Sequence, residues 1–170
     1  SGKTVVAELA ALNCILNKRK KVVYTCPLRA LAFEHSHDFK EKYSRELGIR
    51  PVLSTGDFDS SGVSLSRKDM IFTTYEKCLS LLNHKVDWLS DVGLLVVDEI
   101  HTIGGNRGPT IEILITKLRI VNPSMQVLAL SATIPNAKEL SEWLGARFVQ
   151  SDYRPVKLKE GVFHDGLVDY

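Results

Sequence analysis

Short apolar segments alternate with longer amphipathic segments along the whole chain. The short segments are rich in valine, leucine and isoleucine and are bounded by polar residues, glycine or proline, a pattern that predicts buried β-strands. Residues 93–97 are almost continuously apolar, which is typical of a strand buried on both faces of a parallel sheet. The predicted strands are residues 21–26, 49–54, 69–74, 93–97, 125–130 and 147–150.

The longer segments carry apolar residues at helical spacing. The apolar stripe of the first helix consists of Val5, Leu9, Leu12 and Leu16. The second helix, residues 28–47, carries His35 on its apolar face, and we interpret this side chain as a packed histidine rather than a metal ligand. Further helices are predicted to begin near Tyr75, Pro109 and Pro135. The predicted loops are residues 58–68 and 102–109.

Strands that alternate with helices favour a mostly parallel sheet covered by helices on both faces, a three-layer α/β fold. A length of 170 residues fits one domain with a sizeable core. We assign residues 1–152 to this domain. Beyond Asp152 the pattern gives way to a polar tail, so we interpret residues 153–170 as a connector.

The composition is that of an ordinary globular protein, with 44% hydrophobic and 25% charged residues. The net charge of +2 is too small to indicate nucleic-acid binding by itself. The cysteines Cys14, Cys26 and Cys78 are odd in number and widely spaced, which favours reduced thiols. No apolar run reaches membrane-spanning length and no signal peptide is visible. We therefore expect an intracellular protein without a membrane partner, cytoplasmic or, in a eukaryote, nuclear.

Two adjacent carboxylates, Asp98 and Glu99, end the apolar run 93–97, and His101 follows two positions later. Carboxylates are expected where a buried strand emerges, and in open α/β sheets ligands bind at that edge. Such a pair can supply an oxygen ligand for Mg²⁺ and a carboxylate that orients or deprotonates a water. The simpler alternative is a strand end with solvated acids.

A Ser1-Gly2-Lys3-Thr4 segment precedes the first predicted helix. Gly-Lys-Thr at a helix N-terminus is the second half of a phosphate-binding loop. There the helix amides face an anion, the lysine reaches the terminal phosphates and the threonine hydroxyl binds Mg²⁺. Four residues are weak evidence by themselves, and a chance Gly-Lys-Thr at a helix start is the alternative.

Other polar groups also follow predicted strands. Arg29 lies at a strand-to-helix turn, Thr55 and Gly56 follow the second strand, and Thr74 ends the third. Hydroxyls, amides and a cation at these places can bind a phosphate backbone without reading its sequence, although threonine helix caps are the commoner explanation of either threonine alone. The clustering of such groups at one sheet edge favours a nucleotide site beside a second site for a polyanion.

Six motifs in order resemble those of the first motor domain of superfamily 2 DExH-box helicases. They are Ser-Gly-Lys-Thr (1–4), Pro-Leu-Arg-Ala-Leu-Ala (27–32), Ser-Thr-Gly-Asp (54–57), Thr-Thr-Tyr-Glu-Lys (73–77), Asp-Glu-Ile-His (98–101) and Ser-Ala-Thr (131–133). The segment 27–32, Arg107-Gly108, and Pro135-Asn136 leading to Glu142-Trp143-Leu144 are most similar to the superkiller-like group. Within that group they resemble the archaeal and eukaryotic DNA-repair helicases.

The resemblance implies a P-loop NTPase fold of the RecA-like type and a role for each matching residue. Ser1, Gly2, Lys3 and Thr4 would bind ATP, with Lys3 on its β- and γ-phosphates. Thr4 and Asp98 would hold Mg²⁺, and Glu99 would activate the attacking water. His101, Ser131 and Thr133 would couple this site to nucleic acid. The implied contacts to nucleic-acid phosphates are Arg29, Thr55, Gly56, Thr74 and Arg107.

The chain departs from the family pattern in what it lacks. The upstream half of the phosphate loop, its preceding strand and the adenine-reading segment are absent, as is a second RecA-like domain with its arginine fingers. An arginine finger is worth roughly 10³–10⁵ in turnover, so the isolated chain is predicted to be nearly inactive. In the full-length protein, the second RecA-like domain would be a partner within the same polypeptide.

The leading hypothesis is an ATP-dependent helicase that acts on single-stranded or branched nucleic acid. DNA is favoured over RNA by the resemblance alone, because discrimination would require contacts to the 2′-hydroxyl. The alternative is a non-catalytic module, binding nucleic acid or a partner protein, that retains the fold. Intact Lys3, Asp98 and Glu99 favour the enzyme. A small-molecule kinase would leave Ser131 and Arg29 unexplained.

Overall fold

The computed structural model describes residues 2–56, 62–84, 86–132, 134–151, 156 and 161–169. The strands of its main sheet are β1 (Lys21–Cys26), β2 (Pro51–Ser54), β3 (Met70–Thr74), β4 (Val92–Val97) and β5 (Gln126–Ala129). Their order across the sheet is β2–β3–β1–β4–β5, and all four neighbouring pairs are parallel. The parallel α/β architecture that the sequence predicted is therefore confirmed.

Helices cover both faces of the sheet. They are α1 (Lys3–Leu16), α2 (Arg29–Phe39), α3 (Arg45–Leu47), α4 (Gly62–Ser66), α5 (Tyr75–Asn83), α6 (Gly108–Val121) and α7 (Ala137–Trp143). A π-helical segment, Lys40–Ser44, joins α2 to α3, and 3₁₀ turns occupy Asp87–Asp91 and Ile100–Gly104. The predicted second helix is thus continuous but contains one wide turn, and the predicted loop 102–109 is largely helical.

The core has two halves, one on each face of the sheet. Alternate residues of β4 divide between them, with Leu94 and Val96 packed toward α1 and α2, and Leu95 and Val97 packed toward α5 and α6. All four are at most 1% exposed. β4 is a continuous apolar run because both of its faces are buried. The helices on the two faces of the sheet give the three-layer arrangement that the sequence predicted.

One row of residues runs across the sheet near the carboxyl ends of its strands. In the order of the strands the row is Ser54, Thr73, Thr25, Val97 and Ala129. The next residue of each strand or connection is therefore presented at the same edge of the sheet. Register alone brings the ends of the motifs together, although they are far apart in the chain.

The apolar stripe predicted for α1 is correct for Leu12 and Leu16, which pack against the core, and wrong for Val5 and Leu9. Val5 and Leu9 are 54% and 61% exposed, whereas Ala7, Ala11 and Cys14 are buried against the sheet. Small side chains let the helix approach the strands closely, and in the first half of the helix the larger residues are turned away from the core. Among the buried residues of α1 is also a charged one, Glu8.

The buried charge of Glu8 is paired with residues of the π-helical segment. Lys42 Nζ lies 2.9 Å from Glu8 Oε1, and Tyr43 Oη donates to Glu8 Oε2 at 2.9 Å. Two consecutive residues thus reach one carboxylate, which satisfies a charge that would be costly to bury unpaired.

Two further predictions about the chain are corrected. The predicted strand 147–150 is not paired with any other strand among the described residues, and Val149 is 81% exposed there. Phe148 is exposed as well, so neither apolar side chain of this segment is buried in the core. In the predicted loop 58–68, α4 forms and Leu65 is fully buried, while residues 57–61 lie outside the described part.

The predicted polar connector contains an antiparallel hairpin made of β6 (Val162–His164) and β7 (Leu167–Asp169). Asp165 and Gly166 at its turn both have positive φ, 48° and 79°. Asp-Gly is the residue pair that two-residue hairpin turns of this geometry favour, so the sequence held a signal for the hairpin. The division of the chain at residue 152 stays a prediction.

Among the described residues, no helix is both long and apolar enough to cross a membrane.

Candidate functional site

The backbone of Asp98 is fixed at the point where β4 ends. Its N–H donates to Thr25 O at 2.9 Å, and its carbonyl oxygen accepts a hydrogen bond from Tyr75 Oη. The next strand is tied to the same turn, because Leu130 N donates to Val97 O and Ile100 N donates to Leu130 O, each at 2.9 Å. The turn after β4 is therefore attached to three neighbouring elements.

The carboxylate of Asp98 is held by three donors. Tyr24 Oη donates to Oδ2 at 3.1 Å, and His35 Nε2 lies 3.2 Å from the same oxygen. The backbone N–H of Glu99 donates to Oδ1 at 2.9 Å. Burial by itself would raise the pKa of Asp98, but the hydrogen bonds from His35 and Tyr24 outweigh that effect and hold the pKa below its usual value. Asp98 is therefore ionised at neutral pH.

Glu99 and His101 face each other across the turn that follows. Glu99 has a φ of 51°, in the left-handed region that non-glycine residues seldom adopt. Thr102 stabilises this turn, since its backbone N–H and its hydroxyl both donate to Glu99 O at 3.0 Å. Glu99 Oε2 lies 3.2 Å from His101 Nδ1. Strained backbone of this kind is often found at functional sites.

Three buried polar atoms in the turn after β4 and in the segment after β5 have no hydrogen-bond partner among the described residues: Glu99 Oε2, His101 Nδ1 and Ser131 Oγ. The Glu99–His101 distance is short enough for a hydrogen bond, but its angles are not suitable. Buried polar atoms are normally bonded to protein or water. Their concentration beside Asp98 indicates a place for a polar ligand with ordered water.

The N-terminus of α1 lies toward the same edge of the sheet. Near the C-terminal end of this helix, Cys14 Sγ is 3.8 Å from Lys21 O, at the start of β1. A 14-residue helix is about 21 Å long, which is about the length of β1, and the helix packs along β1 and β4. Lys3 and Thr4 therefore begin the helix near the carboxyl ends of those strands. Gly2, with a φ of 75°, precedes them.

A groove of about 120 Å³ lies beside this edge and is lined by Arg29, Thr55, Thr74, Glu76, Lys77 and Ser80. It unites the start of α2, the end of β2 and the junction of β3 with α5. Thr74 caps α5 by accepting a hydrogen bond from the Lys77 backbone N–H at 3.2 Å, so the common cap role that the sequence suggested is correct. The cap role and a place in the groove are combined in one residue.

Arg107 joins the groove to the turn after β4. Its Nε lies 3.2 Å from Glu76 Oε1, and Glu76 lines the groove. Arg107 itself directly precedes α6, in the loop that follows His101. The ion pair therefore links the loop beyond the acidic residues with the wall of the groove.

The structure thus gathers most of the residues that the sequence selected. Asp98, Glu99, His101 and Ser131 form one cluster, and Arg29, Thr55 and Thr74 form the groove. Gly56 directly follows Thr55, and Ser1 and Thr133 lie outside the described residues.

Sequence reasoning missed Tyr24, His35, Glu76, Lys77 and Ser80. His35 is packed on Tyr24, as the sequence predicted, but its hydrogen bond to Asp98 was not foreseen. Tyr24 is 2% exposed within β1, so its position in the sequence is that of an ordinary core residue. A signal existed for Lys77 and Ser80, because Lys77 follows Thr74 by three residues and Ser80 follows Lys77 by three, and residues at this spacing are neighbours on a helix surface.

A parallel sheet with a lysine and threonine at a helix N-terminus, and paired acids at the end of a buried strand, defines an α/β protein with a candidate phosphate site. The sequence profile of the DEAD/DEAH box helicases matches residues 1–140. The chain belongs to this family.

Curated relatives are similar over the whole chain. It is 52% identical, over all of its length, to the ATP-dependent DNA helicase Hel308 of Caldivirga maquilingensis, and 47% identical, over 99% of its length, to Hel308 of Pyrococcus abyssi. It spans only 22% and 23% of those two proteins. Among solved structures, the DUF1998 helicase MrfA bound to DNA superposes on 84% of this chain with a TM-score of 0.69 and 25% identity. The match supports the RecA-like class of fold.

Proposed function

We propose that this chain is the first motor domain of an ATP-dependent DNA helicase. The observation that supports it best is the pairing of the anchored Asp98–Glu99 edge with the groove that contains Arg29 and Lys77. One site suits a metal–nucleotide and the other suits a phosphate backbone. A motor must bind both, and must bind its track without regard to sequence.

The residues present fit ATP and Mg²⁺. Thr4 and Asp98 offer oxygen ligands of the kind that Mg²⁺ prefers. The unpartnered atoms of Glu99 and Ser131 fit the polar environment of a phosphate and its water. When bound, Mg²⁺ supplies charge neutralisation at the terminal phosphates.

Each residue then has a defined task. Lys3 and the first amides of α1 bind the phosphates, where the helix dipole favours negative charge. Asp98 holds the metal, and Glu99 orients the attacking water and takes up its proton. His101, Ser131 and Thr133 relay the state of this site to the nucleic-acid groove.

The groove holds single-stranded DNA by its phosphates. Arg29 and Lys77 contribute two positive charges against one carboxylate, and Thr55 and Thr74 contribute hydroxyls. Gly56 and Arg107 extend this surface. A second motor domain of the same polypeptide completes the ATP site, and the protein acts inside the cell, where ATP and DNA meet.

The test is the unwinding of a short DNA duplex with a single-stranded tail by the full-length protein. We expect ATP-dependent strand separation that Lys3→Ala abolishes. Lys18→Ala is a matched control, because Lys18 lies beyond the other end of α1 and binds Gln126 Oε1 at 3.4 Å. DNA binding without ATP hydrolysis in the wild-type protein would support the non-catalytic module instead.

A further inference from the structure

The two oxygens of the Asp98 carboxylate are in different situations. Oδ2 faces two side-chain donors, Tyr24 Oη at 3.1 Å and His35 Nε2 at 3.2 Å. Within the described part of the chain, Oδ1 accepts only the Glu99 backbone N–H, at 2.9 Å. A carboxylate oxygen accepts about two hydrogen bonds. Oδ2 is therefore saturated, and the spare acceptor capacity belongs to Oδ1.

We propose that Tyr24 and His35 are positioning residues that hold Asp98 with Oδ1 directed toward the metal–nucleotide. The inference rests on the proposed ATP-binding function. Neither residue would touch the nucleotide. Both act through Asp98, as outer hydrogen-bonding partners orient the carboxylate ligands of metal sites in general.

The two donors are themselves held in place by aromatic packing. The ring of Tyr24 lies 5.2 Å from that of His35 and 5.3 Å from that of Phe72, centroid to centroid. Phe72 in turn contacts Phe39, at 5.8 Å. Tyr24 and Phe39 are at most 2% exposed. The donors therefore have little freedom to leave Oδ2, which is what positioning requires.

The position of His35 on α2 distinguishes it from the neighbouring His37. It lies on α2, the helix whose first residue, Arg29, lines the groove. The nearby His37 points elsewhere on the same helix and lies 3.7 Å from Glu41, with 55% of its side chain exposed. Of these two histidines, only His35 reaches Asp98.

A metal site made by Cys26, His35 and Asp98 is the competing interpretation. Their ligand atoms all lie within 4.8 Å of one another. A tetrahedral zinc site, with bonds of about 2.0–2.3 Å, would bring its ligands to about 3.3–3.8 Å of each other. The existing hydrogen bonds therefore favour positioning.

The experiment measures how binding of a fluorescent, non-hydrolysable ATP analogue by the full-length protein depends on Mg²⁺ concentration. For His35→Leu we expect half-maximal binding to require about 10-fold more Mg²⁺, and for Tyr24→Phe a smaller increase, since outer-sphere partners are typically worth 10–100-fold. His35→Gln, which keeps a donor, should restore most of the loss. His37→Leu removes the same group elsewhere on α2 and should match the wild type.

Four results would overturn the proposal. One is wild-type Mg²⁺ dependence in a folded His35→Leu protein, and another is a His35→Gln protein as impaired as His35→Leu. A third is a loss in Cys26→Ala equal to that in His35→Leu, together with a thiolate absorption band on adding Co²⁺, because that would establish the competing metal site. The fourth is a wild-type protein that binds no nucleotide at any Mg²⁺ concentration. That result would contradict the proposed function itself, and it is distinguished from the other three because it appears without any substitution.

Discussion

Glu99 Oε2 lies 3.2 Å from His101 Nδ1, and neither atom completes a hydrogen bond within the described part of the chain. The carboxylate proposed to activate water is therefore in contact with an imidazole that can rotate or re-bond when a ligand arrives. Ser131 directly follows Leu130, which is hydrogen-bonded to Val97 and Ile100 on either side of the two acids. The Glu99–His101 pair would therefore couple ATP hydrolysis to nucleic-acid binding.

Replacing His101 by alanine should separate the two activities. We expect nucleotide affinity within about 2-fold of the wild type, because His101 is not among the phosphate- or metal-binding residues. Stimulation of ATP hydrolysis by single-stranded DNA should fall about 10-fold or more. Steady-state hydrolysis measured over a range of DNA concentrations checks this. His84→Ala, at the exposed end of α5, is the control.

The basic residues of the groove should contribute to DNA binding through salt-dependent contacts. Arg29→Ala and Lys77→Ala should each weaken binding to unrelated single-stranded sequences alike. The slope of log K against log salt should decrease by about 1 for each phosphate that the variant no longer neutralises. Fluorescence anisotropy at several salt concentrations measures both effects, with Lys18→Ala as a control. An unchanged slope in both variants would show that Arg29 and Lys77 do not contact the phosphates of the DNA.

Glu76 is expected to act against DNA binding, because it places a carboxylate in a groove for phosphates. Its ion pair with Arg107 offsets part of that repulsion. Glu76→Gln should therefore strengthen DNA binding by a few-fold, since an exposed ion pair of this kind is worth about 0.2–1 kcal/mol. The increase should disappear in high salt. Weaker binding in this variant would mean that Glu76 itself contacts the nucleic acid.

Asp69 should make the stability of the chain depend on pH. Burial acts to raise its pKa, but hydrogen bonds from the Arg50 side chain and backbone lower it below the usual value, at distances of 2.8–3.0 Å. A lowered folded-state pKa contributes stability that is complete above the unfolded value, about 3.9, and is lost as pH falls through the folded value.

Asp69→Asn should consequently lower the free energy of unfolding at pH 7 by about 1–2 kcal/mol. The difference from the wild type should begin to shrink as pH falls below about 4. It should disappear once pH is below the folded-state pKa of Asp69, where both proteins carry a neutral side chain at this position. Denaturant unfolding at a series of pH values checks this. A difference that is independent of pH would show that the ionised form of Asp69 is not what stabilises the fold.

The sequence pattern was sufficient for the sheet and for most of the site, for a physical reason. A strand buried on both faces must be apolar throughout, so β4 stands out, and polar residues at strand ends are brought to one edge by parallel register. Asp98, Thr55 and Thr74 could be placed at that edge from the order of strands and helices alone.

The sequence pattern could not identify residues whose role depends on contacts between distant elements. Tyr24 and His35 are separated by 74 and 63 residues from Asp98, and only the packing of α2 on β1 brings all three together. The exposure of Val5 and Leu9 could not be predicted either, because it also depends on how two elements pack. Residue size decides how closely α1 approaches the sheet, and hydrophobicity alone does not show that the first half of the helix buries Ala7 instead of Val5 and Leu9.

The central claim is that Glu99 activates water for ATP hydrolysis coupled to DNA binding. Hydrolysis by the full-length protein, measured with and without single-stranded DNA in Glu99→Gln, tests it most directly. Glu112→Gln, an exposed change on α6, is the matched control. We predict that DNA stimulates the wild-type and control proteins, and that Glu99→Gln loses at least about 100-fold in turnover while still binding ATP. Turnover near the wild-type rate in Glu99→Gln would contradict the account.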